Sequence, residues 1–534
     1  MSDAGESTDP SVRALPSWLA IVLVFGTSAV VLVLEILAGR LMAPYVGVSL
    51  ETFTGIIGTI LAGIAVGAWA GGVAADRVDP RRLLGPLLVA GGVLAIATIP
   101  IVRVLGESGG SAGGVRIIVL TAFGFLPSAT VLSAVPPAVV KLQLRDLDST
   151  GATVGQLSAW GTVGALFGTF FTGYVLVAAA AVTTLIVTVG VVLVIGGLVL
   201  FVLDRRTART ARSVPGPKRA VSPEDWTVMG LGGVLALSLL GVAGVDSPCQ
   251  RQTAYYCLSI VEDPSVESGR TLVLDDLRHS YVDLDDPLRL EFWYVRRIID
   301  TIEVHHPGSS PIDVLSLGGG AFTVPRYVRE TRPGSEQVVL EIDQELVDVV
   351  LDDFEFEPGP DVSIVVGDAR LSVRDLPDDS ADVAVGDAFG SRSVPFHLAT
   401  EEFLADVDRV LRDDGVYVGN LIDGTDETFL RAQAATLGRV FAHVVVVRGP
   451  LLVAGNNGNS VILASDAPLD VESFAELLRA DRDPSETDLE RRERVGPDGA
   501  GAGEIVAGDE LVEYLDGATV LTDDFAPVDQ LIGG

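Results

Sequence analysis

The chain has 534 residues, of which 48 % are hydrophobic, and a formal net charge of −34; its mean hydropathy is +0.44. An ordinary soluble protein is less apolar than this and a bare helical bundle is less acidic, so membrane segments and a strongly acidic soluble part must share one polypeptide. The acidity also excludes nucleic acid as a partner, because a polyanion would be repelled.

Positive charge is almost all arginine. Only two lysines occur, Lys141 and Lys218, while Asp and Glu crowd the second half. This is the charge style of a halophile, haloarchaeal in kind, and it answers to the solvent more than to any partner.

Met1 to Pro16 is polar and acidic, with no basic n-region and no small-residue cleavage site, and reads as a disordered tail ahead of a retained anchor. Residues 17–245 read as a multi-span α-helical membrane domain of about seven helices. Apolar stretches near 17–39, 53–74, 83–104, 115–139, 154–177, 181–203 and 226–245 are each long enough to cross, since a hydrocarbon core of about 30 Å needs roughly 20 helical residues. Arg77, Arg81 and Arg82 follow the second stretch, Lys141 and Arg145 the fourth, and six basic residues from Arg205 to Arg219 the sixth; the opposite loops hold only Arg40, Arg103 and Arg116. The positive-inside rule then places the N-terminus in the cytoplasm and, after seven crossings, the soluble part on the extracytoplasmic face of the cell membrane. One span more or fewer reverses that result. The region 154–203, divided at Ala178 to Ala181, is where the count is most open.

In "VLEILAGRLMAPYVG", Glu35 and Arg40 fall at the outer end of the first span, where an unpaired charge is costly. They form either an interfacial ion pair or a polar substrate pocket in the outer leaflet. "GGVAADRVDPRR", Gly71 to Arg82, resembles the cytoplasmic loop motif of major-facilitator transporters, although seven spans without a second half argue against a complete transporter. Glycine-rich faces and the prolines Pro127, Pro136 and Pro137 read as helix packing and kinks. Cys249 and Cys257, the only two cysteines, come just after the last apolar run. They are a local disulfide or two unrelated thiols, and a pair at this place fits an oxidising exterior.

From 246 to 295 the pattern changes to short alternating runs, "TAYYCLSIV", "RTLVLDD" and "RHSYVDL", which predict a small antiparallel β subdomain. From 296 to 534, helices alternate with the apolar strands "IDVLSL", "QVVLEID", "VSIVVGD", "ADVAVGD", "GVYVGNLI", "HVVVVRG" and "SVILAS". That order predicts an α/β doubly wound, mostly parallel sheet of the methyltransferase-like (Rossmann-like) kind. Ligands in such sheets bind at the carboxyl ends of the strands. Gly318, Gly319 and Gly320 there let a backbone approach a ligand at a helix N-terminus. Glu341, 21 residues after Gly320, ends the next strand, where a carboxylate accepts from ribose hydroxyls; Asp368 ends the third and suits an adenine amine; Asp387 ends the fourth, facing the reacting centre. Each alone is equally a helix cap or turn residue. Their ordered recurrence at four consecutive strand ends predicts a nucleoside site.

From Thr253 to the C-terminus the sequence resembles the spermidine synthase-like aminopropyltransferases, and the whole chain resembles their membrane-fused branch. "EILAGRLMAPYVG", "GGVAADR", "LGGGAF", "LEID", "GDAR", "PFHLATEEF" and "LTDDFAPVDQL" carry the likeness. It implies a transferase in which Glu341 binds ribose, Asp368 contacts adenine and Asp387 is the catalytic base, with His279 standing where relatives place a glutamine beside the sulfonium donor. It further implies S-adenosylmethionine or decarboxylated S-adenosylmethionine as donor if the domain is cytoplasmic; outside the cell the donor is open. Two departures matter. Relatives carry an Asp after the three glycines, where this chain has Ala321, and a second acid three residues after the catalytic Asp, where this chain has Gly390. Both missing carboxylates face amines in the family reaction, so a true polyamine product is not expected.

His397, ten residues beyond Asp387, is a second acid/base candidate or a packed loop histidine. Tyr255 and Tyr256, with His279, line the acceptor side or belong to the core of the small sheet. The competing readings are an enzyme acting on a small amine from the cytoplasm; an outward-facing transferase acting on membrane lipids or a membrane-tethered protein, as in lipoprotein lipidation; and a transporter or sensor that binds a nucleoside-like ligand without chemistry. Residues 479–509 read as a mobile surface insertion. "LTDDFAPVDQL" is expected to pack back near the site through Asp523 and Asp524, or to cap a helix.

Overall fold

The computed structural model describes residues 15–108, 114–144, 149–210, 223–390, 394–453, 457–480 and 503–532. The polar tail up to residue 14, Arg145, the basic stretch Arg212 to Arg219 and most of the 479–509 insertion lie outside them. The chain divides into two compact units, Met1–Gln252 and Thr253–Gly534.

The first unit is helical: α1 (Ser17–Val46), α2 (Leu50–Arg77), α3 (Pro80–Glu107), α4 (Gly114–Gly124), α5 (Leu126–Ser133), α6 (Val135–Gln143), α7 (Thr150–Phe171), α8 (Val177–Ala179), α9 (Val182–Thr210) and α10 (Pro223–Gly244). Among the described residues, five helices are long and apolar enough to cross a membrane, or six if α4 with α5–α6 is one span bent by 48°. The breaks in that fourth stretch have a cause: proline stands in the first turn of both α5 and α6, where a ring without an N–H cannot continue the preceding helix. The seventh expected stretch is α10, whose apolar part, Gly232–Gly244, is shorter than the other spans. Ala180 is extended, so the expected division between the fifth and sixth stretches is present. A π turn at Thr172–Leu176 joins α7 to α8.

Small residues set the closest approaches. A Cβ at Gly92 would stand 2.5 Å from the Gly190 carbonyl oxygen, so α3 and α9 touch backbone to backbone. An ion pair from Lys141 to Asp76 ties α6 to α2. Glu35 and Arg40 lie half-buried on α1. At a spacing of five residues they diverge around the helix, and are not the i, i+4 neighbours that face each other. Neither cysteine is free; Cys249 and Cys257 are both disulfide-bonded.

Two sheets follow. β1 (Arg251–Gln252), β2 (Cys257–Asp263), β3 (Val266–Leu274) and β4 (Leu277–Asp283) form a four-stranded sheet in sequential order. Leu272 and Leu274 of β3 and Val282 of β4 are buried in one apolar cluster with Leu346, Val347, Val349 and Val350. The larger sheet has eight strands in the order β12-β10-β11-β9-β8-β5-β6-β7: β5 (Val314–Leu317), β6 (Gln337–Glu341), β7 (Val362–Val366), β8 (Ala381–Gly386), β9 (Leu411–Asp423), β10 (His443–Arg448), β11 (Gly458–Ser465) and β12 (Glu504–Val506). β7, β6, β5, β8 and β9 run parallel, while β11, β10 and β12 complete the sheet antiparallel. The strand order reverses between β5 and β8, the crevice where doubly wound sheets bind ligands. β12 corrects one expectation: Glu504–Val506 pairs with β10 and Val506 is buried, so the end of the 479–509 stretch belongs to the sheet.

Candidate active site

A cleft with a cavity volume of about 150 Å³ opens at that switch point. Its lining brings together Gly318, Gly320, Glu341, Asp368, Asp387, His279, His397, Tyr255 and Tyr256. Gly319 lies in the same turn but is not among the lining residues, and Glu35 and Arg40 belong to the helical unit.

The turn after β5 is built from left-handed backbone. Gly318 has φ +91° and Gly320 φ +51°, and a Cβ at Gly320 would stand 2.5 Å from Ser280 Oγ. The helix that follows is α12 (Thr323–Thr331). Glu341 closes the turn from the next strand: Oε2 accepts from Gly319 N–H at 2.9 Å and Oε1 from Asp343 N–H at 3.1 Å. Burial pushes its carboxyl up, against the pull of those bonds. The Ile342 N–H also bonds this carboxylate, so of its four acceptor sites one remains.

Asp387 sits at the end of β8, its N–H bonded to the Leu317 carbonyl at 2.9 Å. Its Oδ1 accepts from Asn420 Nδ2 at 2.8 Å, and Asn420 Oδ1 in turn accepts from Asn459 Nδ2 at 2.9 Å. Burial pushes its carboxyl up to about 7, with bonds from Asn420 and Tyr294 opposing. The Tyr294 hydroxyl, on α11 (Trp293–His305), also donates to the His279 carbonyl at 2.8 Å. One hydroxyl proton cannot serve two acceptors, so the network is complete only when Asp387 carries a proton of its own. An acid held near neutrality at the reacting end of a cleft is suited to general-base work.

His279 turns its side chain into the same region. Burial pushes it down to about 4, and its Nε2 has no hydrogen-bond partner. Its ring packs between Tyr256 and Phe389, with centroids 6.4 and 6.2 Å away. Tyr256 donates its hydroxyl to the Phe389 carbonyl at 2.8 Å, which holds the loop after Asp387, while Tyr255 is exposed on the rim. His397 lines the cleft at the other end: its Nε2 lies 3.3 Å from Asp368 Oδ2, so it faces Asp368 and not Asp387. Asp368 Oδ1 caps the following turn through Arg370 N–H at 2.8 Å. Sequence reasoning missed Tyr294, Asn420 and Asn459, which carry no motif of their own; only the strand register brings the two amides to Asp387.

No family model matches the chain. Among proteins of known activity, it is 30 % identical over 186 residues to the polyamine aminopropyltransferase of Vibrio vulnificus, covering 34 % of this chain and 59 % of the relative. It is 28 % identical over 223 residues to that of Pyrobaculum calidifontis, covering 39 % and 68 %. The C-terminal unit is similar to the spermidine synthase-like aminopropyltransferases. The chain spans 59 % of the length of the Vibrio relative. A probable spermidine synthase from Corynebacterium glutamicum matches at 26 % identity, with a TM-score of 0.45, over 53 % of this chain and 99 % of that one.

Within this spermidine synthase-like unit, the two departures from the family pattern have clear places. Ala321 is fully buried in the apolar cluster under the small sheet, so a carboxylate there would face hydrocarbon. Gly390 lies on the cleft wall and is exposed, and contributes no charge.

Proposed function

We propose that this chain is an integral membrane transferase whose C-terminal unit moves an alkyl or aminopropyl group from a sulfonium nucleoside, S-adenosylmethionine or its decarboxylated form, to a nucleophile deprotonated by Asp387. The observation that carries the reading is one cleft holding Glu341, Asp368 and Asp387 at three successive strand ends, with Asp387 pushed up to about 7.

The residues fit such a donor. Gly318 and Gly320 line the cleft with left-handed backbone; Glu341 keeps an acceptor lone pair for a ribose hydroxyl; Asp368 offers an acceptor to an exocyclic amine. When bound, the donor supplies an activated carbon on sulfur. Asp387 removes the proton of the incoming nucleophile, and the Asn420 amide holds its other oxygen in place.

The acceptor is a membrane-associated molecule and not a free diamine. Among the described lining residues, Glu341, Asp368 and Asp387 are the acids. Ribose, base and proton transfer occupy all three, so none remains to hold a distal ammonium. The apolar helices support a membrane position. Asp387→Asn tests the enzyme: loss of product with retained binding of S-adenosylhomocysteine is expected, and unchanged activity overturns it. Lipids, lipoproteins and polyamines from a deletion strain, compared by mass spectrometry, identify the acceptor; a change confined to polyamines removes the membrane acceptor.

A second reading, an outward-facing transferase acting on lipid or on a membrane-tethered protein, is favoured by the disulfide-bonded cysteines and by the arginine distribution. Its donor is then not fixed by the nucleoside logic. Cysteine labelling by an impermeant maleimide, in intact cells after impermeant reductant, separates the two: labelling without lysis supports the outward reading, and labelling only after lysis removes it.

A further inference from the structure

The C-terminal motif does reach the site, and it does so through one arginine. Leu521 is tied at both backbone groups, its carbonyl accepting from Glu401 N–H and its N–H donating to Thr436 Oγ1, each at 2.9 Å. Thr522 and Phe525 close a tight turn by two bonds of 3.0 Å. Asp523, at the tip, accepts from Thr400 Oγ1 at 2.9 Å and from Arg370 Nη2 at 2.5 Å. Arg370 Nη1 donates to Thr400 Oγ1 and to the His397 carbonyl, both at 2.8 Å. The Arg370 side chain is 12 % exposed and Thr400 is fully buried.

These contacts close a ring. Arg370 N–H holds Asp368 Oδ1, the Arg370 guanidinium holds the His397 backbone, and the His397 ring faces Asp368 Oδ2. We propose that Arg370, locked by Asp523, is a positioning residue that, with His397, sets Asp368 as an acceptor edge for the base of the donor, selecting an exocyclic amine over an oxo group. The inference rests on the reading of the cleft as a nucleoside-donor site. Arg370 N–H and His397 Nε2 each face one oxygen of Asp368, and the lone pairs that remain on those oxygens can only accept. A 6-amino purine donates to such an edge from its exocyclic nitrogen, whereas a 6-oxo purine places an acceptor at that position and has its donor only at N1, one atom away.

The test is calorimetric binding of S-adenosylhomocysteine and S-inosylhomocysteine to the full chain. The wild-type protein should prefer the adenosyl probe by about tenfold or more, one hydrogen bond's equivalent. Asp523→Ala and Arg370→Met should bring the ratio close to one by weakening the adenosyl probe alone, and Asp523→Glu should restore part of it. Equal weakening of both probes, or an unchanged ratio in the variants, overturns the positioning role while leaving the donor reading intact. Absence of binding of either probe by the wild-type chain overturns the donor reading and this inference with it. Should Arg370→Met fail to fold, Asp523→Ala gives the same readout from a side chain that is 47 % exposed.

Discussion

Gly318 lies so close to Asp387 that a Cβ at 318 would stand 2.6 Å from the Asp387 carbonyl oxygen. The two residues end β5 and β8, neighbours in the sheet. The glycine turn and the proposed base are thus one backbone construction, and the position of the acid is set by a residue 69 places earlier in the chain.

Gly318→Ala should therefore cost more than backbone strain. At φ +91° a non-glycine residue costs about 1–3 kcal/mol, and the overlap with Asp387 adds to it. Gly308 has φ +96°, and a Cβ added there would meet nothing within 4 Å, so Gly308→Ala isolates the strain alone. Thermal unfolding should show Gly318→Ala lowering Tm well beyond Gly308→Ala; equal shifts would mean that the contact carries no weight.

Asp387→Asn should reduce turnover by at least about 10²-fold, the lower range for loss of a general base. Binding of S-adenosylhomocysteine should stay within about threefold, because the amide oxygen still accepts from Asn420 and its NH₂ replaces the proton that Tyr294 otherwise lacks. The wild-type rate should rise with pH through about 7, where the carboxyl loses its proton. A flat profile between pH 6 and 8 with intact binding would remove Asp387 from the base role.

Much of this site was legible in the sequence because its parts are local. The strand, the glycine turn and an acid at each strand end are written contiguously from Val314 to Asp387, and the fold brings them to one cleft in the expected order. What the sequence did not disclose depends on pairing across distance. Asn420 and Asn459 meet because β11 folds back antiparallel on β9, and nothing local in "GVYVGNLI" says which neighbour its asparagine will find. His397 reads from the sequence as a second acid/base candidate or a packed loop histidine, and in the short turn Phe396–Leu398 its ring faces Asp368. β12 was hidden for a similar reason: three residues gain a strand conformation only from the β10 edge beside them.

Glu341→Gln tests the ribose end. The carboxylate accepts two backbone N–H groups, and an amide has one oxygen for them, so an NH₂ must face a donor. Leaving one buried N–H unsatisfied costs about 1–3 kcal/mol of stability; separately, loss of a carboxylate acceptor toward the ribose is expected as a roughly tenfold loss in S-adenosylhomocysteine affinity by calorimetry. Affinity equal to wild type would exclude Glu341 as a donor ligand.

Stability against pH separates Asp387 from His279, whose shifts run in opposite senses. The folded Asp387 carboxyl is raised from 3.8 to about 7, so the folded state holds a proton that the unfolded chain releases; the associated stability is complete below pH 3.8 and is lost as pH rises through 7. His279 is lowered from 6.5 to about 4, so its contribution is complete above pH 6.5 and is lost as pH falls through 4. In the same window the two slopes oppose each other and partly cancel in the wild-type chain. Relative to wild type, the Tm of Asp387→Asn should therefore climb between about pH 4 and 7, and that of His279→Gln should climb as pH drops from 6.5 toward 4. Parallel curves for either variant would show that its side chain titrates alike in the folded and unfolded chain, and the buried, proton-starved geometry around Tyr294 would lose its energetic meaning.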